Sequence, residues 1–364
     1  MSGPMTQDQL KARLGTLPRL RLAALPTPLD EAPGLTAALG GPRILIKRED
    51  LTGIAFGGNK IREFEYSLAP ALEQGCDVLI NAGGAQSNQS RQTAAVAARL
   101  GLRSVIIARA DDHSWPVQGN LLLCHLFGAE VVLASGEQMR QVKEETLKRL
   151  RAEGHKPYDT GYDGAVYRSV AYVDGFLELW GQLWERGVEP DGLYLSTGEH
   201  THVGLLVAAK ALGIDLRIVG VPYSPRYSNA EKQVHLAAAA NETARALALD
   251  LTIAPEDVEV HVEFTGPAHG VMTEGTLEAI RLAARSDGLV LDPSYTGKAM
   301  AGLIAHIREG QYERDQTVVF MHTGGTPALF AYSTELGPEG RSLRHSPATE
   351  PGLQAHEGAG GVIR

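Results

Sequence analysis

Short β-branched runs alternate with helical stretches along most of this 364-residue chain, and that alternation leaves few folds open. Residues 77–81, 104–108 and 130–134 read as strands. Residues 91–100 and 119–127 between them read as helices. A second set follows a charged helix over 138–153 and a longer helix over 170–186. It comprises a strand at 192–196, a helix at 203–212 and a strand at 217–221. Two more strands are expected at 288–292 and 317–321, each ending in a polar turn. Strands joined through helices run parallel, and open parallel sheets take their ligands at the carboxyl ends of the strands.

Two such sets predict two lobes. The smaller covers 57–165, the larger joins 1–56 to 166–340, and the Gly-, Pro- and His-rich segment 341–364 has little to bury and reads as a flexible tail. Earlier in the chain, residues 69–74 continue a helix, 43–50 read as a strand ending in charge, and Leu25-Pro26-Thr27-Pro28-Leu29 is an extended segment fixed by proline.

The net charge of −9 and the calculated pI of 5.8 argue against nucleic acid or an anionic membrane as partner, since phosphate needs a basic face. A small molecule is the expected ligand. The first residues lack the charged-then-apolar order of a secretory signal, and a cytoplasmic location is expected. Cys76 and Cys124 are too few for a disulfide framework and read as buried thiols, and the twelve histidines show no convincing metal-ligand spacing.

The chemistry concentrates in turns. In Phe56-Gly57-Gly58-Asn59-Lys60 a lysine follows a turn where backbone can approach a ligand closely, and such a lysine can carry a Schiff base. Ser87, Asn88 and Gln89 open the helix after a Gly-rich turn, so its free amide hydrogens offer a seat for a carboxylate. Ordinary helix capping explains Ser87 and Asn88 as well. Thr197-Gly198-Glu199-His200-Thr201-His202 and His322-Thr323-Gly324-Gly325 end two further strands, and Thr323 reads either as a site residue or as a turn cap.

Together with Asp292-Pro293-Ser294-Tyr295-Thr296-Gly297-Lys298 and Thr273-Glu274-Gly275-Thr276-Leu277-Glu278-Ala279-Ile280, these motifs give a close resemblance over residues 25 to 332. The chain resembles the fold-type II, tryptophan-synthase-β-like enzymes that use pyridoxal 5'-phosphate, in the branch of 1-aminocyclopropane-1-carboxylate deaminase and D-cysteine desulfhydrase. The resemblance implies an α/β fold with two lobes, three layers and mostly parallel sheets, the larger lobe binding the cofactor. It implies that Lys60 bonds the cofactor and then acts as the base at the substrate's Cα, with Ser87 and Tyr295 as the other catalytic groups. Asn88, Thr197, Gly198, His200, Thr201, His202 and Thr323 would join Lys60 in holding the cofactor. Ser87, Asn88, Gln89, His269, Tyr295 and Thr296 would hold a small amino acid.

The implied reaction is an α,β-elimination giving a keto acid, ammonia and the β-leaving group, with D-cysteine as leading substrate. Thr296 and Thr323 are the D-cysteine desulfhydrase choice where the deaminase carries Glu and Leu. The alternatives are the deaminase itself, a lyase on cysteate or serine, and a protein that binds pyridoxal phosphate or an amino acid without turnover. Three departures from the family stand out: Glu63 where a lysine is usual, Glu199-His200 in the phosphate loop, and His269 in place of a tyrosine. Two carboxylates near a phosphate are costly unless paired or turned away, which predicts that a protonated His200 or His202 pairs with Glu199, or that Glu63 points to solvent. The polar loop carrying Arg109, Asp111, Asp112, His113 and Trp115 reads as solvated surface or as a lid over the substrate. A homodimer is expected, because closed two-fold dimers are the commonest soluble oligomers.

Overall fold

The computed structural model describes residues 3–110 and 116–337, so the expected tail and positions 111–115 of the polar loop lie outside the described residues. Residues through Tyr332 form one compact unit, and the part described beyond it contains a single helical turn, Ser333–Leu336.

In chain order the strands are β1 (Leu29–Glu31), β2 (Arg43–Lys47), β3 (Val78–Gly84), β4 (Arg103–Arg109), β5 (Glu130–Ala134), β6 (Pro157–Asp159), β7 (Gly192–Thr197), β8 (Arg217–Pro222), β9 (Glu259–Val260) and β10 (Thr317–Met321). They make two sheets. The larger has the order β1-β2-β10-β7-β8-β9 and is parallel except for the β1–β2 pair. The smaller, β5-β4-β3-β6, is parallel throughout. All four of its strands fall within 57–165.

Every residue of β7 and β10 is buried, as expected of parallel strands covered on both faces. The helices Ala165–Glu185, His200–Leu212 and Asn229–Ala246 pack together on one side, and Pro33–Leu39, Glu274–Asp287 and Thr296–Arg308 pack together on the other. Alternation along β3 does the same for the small sheet. Val78 and Ile80 meet Val105, Ile107 and Leu150, while Leu79 faces Val96, Ala97 and Phe64.

Three details differ from the sequence reading. Residues 288–292 form no strand; the segment is held beside β10 by His322 Nε2 donating to the Val290 carbonyl, 3.0 Å. The short strands β1, β6 and β9 carry too few residues for a periodic signal. Cys76 is only half-buried, whereas Cys124 is buried. Among the described residues no helix is long and apolar enough to cross a membrane.

Candidate active site

The lysine turn is set by backbone that few side chains tolerate. Ala55, Phe56, Gly57 and Gly58 all have positive φ, and a Cβ on Gly57 would sit 2.0 Å from the Asp50 carbonyl oxygen. Thr52 Oγ1 accepts from the Gly58 amide and donates to the Gly58 carbonyl, both at 2.9 Å. Arg91 donates to the carbonyls of Ala55 and Gly57. The Asn59 amide donates 3.1 Å to the Thr323 carbonyl, which ties the turn to the end of β10. That approach is close enough that a Cβ on Gly324 would lie 2.9 Å from Gly58 Cα.

Asn59–Ser67 follows as a helix, with Lys60 in its first turn. Lys60 Nζ lies 2.8 Å from Glu63 Oε1, and its side chain keeps 21% of its surface exposed, toward a cavity of about 260 Å³. Burial pushes the Lys60 amine below its usual range, against the pull of Glu63. Glu63 itself is buried and not turned to solvent. Its Oε2 accepts from Arg168 Nε at 2.8 Å, so pairing is what makes this carboxylate tolerable here.

Ser87 caps the helix Asn88–Leu100, its hydroxyl accepting from the Ser90 amide at 3.2 Å. Asn88 Oδ1 accepts from Asn120 Nδ2 at 2.7 Å. Gln89 accepts from Arg168 through Oε1 at 3.2 Å and donates to the Thr160 carbonyl. All three line the cavity with Lys60.

From the large sheet come Gly198 and His200 after β7, Thr323 after β10, and Tyr295 before the helix Thr296–Arg308. The Tyr295 hydroxyl lies 3.1 Å from His269 Nε2, and burial raises its pKa. Tyr223 packs against it with ring centroids 5.3 Å apart.

Five expected residues are not on the cavity wall. Thr197 is buried behind Gly198, its hydroxyl 3.3 Å from His202 Nδ1. His202 points back toward Gly220 of β8, because two residues along a helix turn a side chain to nearly the opposite side. Its pKa falls to about 4 through burial. Thr201 accepts from Asn59 Nδ2 at 3.0 Å, and His269 stands behind Tyr295. Thr296 donates its hydroxyl to Asp292 Oδ1 at 2.8 Å and accepts from the Asp292 amide at the same distance, so it closes the turn that carries Tyr295.

The predicted pairing of Glu199 is also corrected. Burial and neighbouring cations hold His200 well below its ordinary pKa, so it is neutral, and its Nδ1 lies 3.2 Å from Ser169 Oγ. Glu199 instead meets His235 Nε2 at 2.7 Å, with its other oxygen 3.7 Å from His200 Nδ1, and it lines the cavity.

Sequence reasoning missed Asn59, Gly161, Arg168, Ser196, Tyr223 and Gly324 on the cavity wall. The available signal for Arg168 was a charge beside an apolar helical run, after the Gly161-Tyr162-Asp163-Gly164 bend. Ser196 reads as one more strand residue. Its Oγ lines the cavity, is buried, and has no hydrogen-bond partner among the described residues. The helix His200–Leu212 has no side-chain cap, so its first amides are also available. Among the described residues no cluster of three His, Cys, Asp or Glu side chains could hold a metal ion.

Comparison with known proteins gives this geometry a family. Residues 20–324 match the family described as pyridoxal-phosphate dependent enzymes. The D-cysteine desulfhydrase of Yersinia enterocolitica serotype O:8 is 37% identical over 334 residues, covering 90% of this chain and 99% of that protein. That of Salmonella newport is 39% identical over 326 residues, covering 88% and 97%. Among solved structures, an ACC deaminase homologue superposes with a TM-score of 0.80 at 31% identity, covering 90% of this chain and 98% of that one. With a lysine at the mouth of a polar cavity and this match along most of its length, the chain belongs to the pyridoxal-phosphate dependent enzymes of fold type II, and it is a lyase of that family.

Proposed function

We propose that this enzyme catalyses the α,β-elimination of D-cysteine, giving pyruvate, sulfide and ammonia, with Lys60, Ser87 and Tyr295 as its catalytic residues. The observation that carries the reading is that all three line one cavity, although 235 positions separate the first from the last.

The cavity fits the cofactor. Free amides at the start of His200–Leu212, the partnerless Ser196 hydroxyl and the Arg168 guanidinium suit an anionic phosphate, and the charge of Glu199, which lines the same cavity, is paired with His235. Gly198, His200 and Ser196 would hold the phosphate, Asn88 and Thr323 would flank the ring, and Thr197, Thr201 and His202 would support the loop from behind. Pyridoxal phosphate, when bound, takes up the electron pair left at the substrate's Cα.

The protein's part is positioning and proton transfer. Ser87 and the amides of its helix hold the substrate carboxylate, with Gln89 bracing that end. Lys60, once neutral, takes the proton from Cα, and burial favours the neutral amine this step needs. Tyr295 faces the β-substituent and is kept protonated by burial, so it donates to the departing thiolate; His269 hydrogen-bonds its hydroxyl from behind, and Thr296 fixes its turn.

We further propose that the two sheets mark two lobes, 57–165 and 1–56 with 166–340, and that the enzyme works as a cytoplasmic homodimer.

The test has two parts. Purified protein should absorb in the visible and, after borohydride reduction, carry the cofactor on the peptide containing Lys60. A panel of small D- and L-amino acids, including cysteate, serine and 1-aminocyclopropane-1-carboxylate, should give keto acid fastest with D-cysteine. A faster rate on another member reassigns the substrate, and no turnover at all leaves a binding protein. In the same assay Ser87→Ala should lower kcat/KM by about 10²-fold. It should also remove about 1 kcal/mol of stability with the lost cap, read from the urea midpoint.

A further inference from the structure

Glu63 is an unusual neighbour for the lysine that the proposed function assigns to covalent attachment. Its carboxylate is fully buried and spans two cations, with Oε1 at 2.8 Å from Lys60 Nζ and Oε2 at 2.8 Å from Arg168 Nε. Asn59 Nδ2 adds a longer contact of 3.3 Å to Oε1. Arg168 is fixed in turn, donating to the Thr160 carbonyl at 3.1 Å and to Gln89 Oε1 at 3.2 Å. The pair therefore cannot swing away from Lys60 without breaking several buried hydrogen bonds.

We propose that Glu63 is a positioning residue that parks Lys60 as an ammonium in the cofactor-free protein, so that loading of an aldehyde cofactor is gated by loss of one proton from Lys60. This rests on Lys60 being the attachment point. The ammonium first gives a proton to solvent. Its lone pair then forms a C–N bond to the aldehyde carbon, and the carbonyl oxygen leaves as water with the two remaining amine hydrogens. Only the neutral amine can begin that step.

The groups facing Lys60 are Glu63 on its own helix, Arg168 from the helix Ala165–Glu185, and Glu199 with His200 at the start of the next helix. Burial, the largest influence, disfavours the ammonium, as does Arg168; Glu63 and Glu199 favour it, and His200 is neutral. Because Glu63 is the nearest of these, its removal should outweigh the rest.

The experiment labels Lys60 of the cofactor-free enzyme with pyridoxal, which has no phosphate, traps the adduct with cyanoborohydride, and counts it on the Lys60 peptide by mass spectrometry across pH. Labelling of the wild type should rise about tenfold per pH unit and then level off at a midpoint. Glu63→Gln should move that midpoint about one pH unit or more lower, with about tenfold faster labelling below it. Arg168→Gln, which leaves Glu63 to Lys60 alone, should move it higher. Opposite shifts are not what a merely structural pair would give, and Arg168→Gln keeps the test alive if Glu63→Gln does not fold. Unmoved midpoints, or shifts of one sign, overturn the gate while leaving Lys60 as attachment point. A wild type that forms no Lys60 adduct at any pH overturns both.

Discussion

Lys60→Ala should abolish both the visible absorbance of bound cofactor and turnover, with keto-acid formation falling by at least about 10³-fold, while the far-ultraviolet circular dichroism stays that of the wild type. The loss is large because two functions are expected of one nitrogen: it bonds the cofactor and it moves the Cα proton. The fold should survive because the truncation strands no charge. Glu63 keeps Arg168 at 2.8 Å, the turn before Lys60 is held by Thr52, Arg91 and the Thr323 carbonyl, and alanine suits a helix at this position. Added methylamine offers a sharper check, since a small amine entering the vacated space should restore part of the proton transfer but no covalent link to the chain. Wild-type turnover in Lys60→Ala would remove the central assignment.

Much of this site was legible in the sequence because its residues sit in turns whose local chemistry is distinctive. Gly57-Gly58-Asn59-Lys60 and Gln86-Ser87-Asn88-Gln89 announce a tight turn and a helix start without any tertiary knowledge, and both reach the cavity. The fold class followed from the alternation of β-branched runs with helices. Partnership was what the sequence could not carry. Glu63 looked like a liability because Arg168, 105 positions later, is its counter-ion. Glu199 looked ready to pair with a neighbouring histidine, but the helix aims His202 inward and burial keeps His200 neutral, leaving His235 to reach it. The same limit misplaced 288–292 as a strand, since an apolar run shows nothing of whether a neighbouring strand will pair with it, and here the tie is a side chain, His322 to the Val290 carbonyl.

Partnership also governs the helix that carries Lys60, and Arg62→Met should destabilise the protein by about 3–5 kcal/mol in urea unfolding at pH 7. Arg62 is fully buried on the side of that helix away from the cavity. It donates twice to Glu49, both at 2.8 Å, and to Glu178 at 3.0 and 3.1 Å. Glu49 also accepts from Tyr172 at 2.8 Å and from Thr27 at 2.6 Å, and Lys47 reaches Glu178. Burial alone would raise the Glu49 pKa, but Arg62 overrides it and brings the carboxyl down to about 2. A depressed carboxylate contributes stability that is present above its unfolded pKa near 4.5 and is lost as pH falls toward 2. For Glu49 that contribution is about 3 kcal/mol. The wild type should therefore weaken steadily below pH 4.5. Without Arg62 the sign reverses, since burial then dominates and favours the protonated form, so Arg62→Met should become more stable as pH is lowered from 7 to 5. Glu49→Gln added to Arg62→Met should recover a large part of the loss at pH 7, because the uncompensated charge is what costs most. Equal urea midpoints for the single and double variants at pH 7 would mean that lost packing, not the stranded Glu49 carboxylate, sets the stability of the lysine helix.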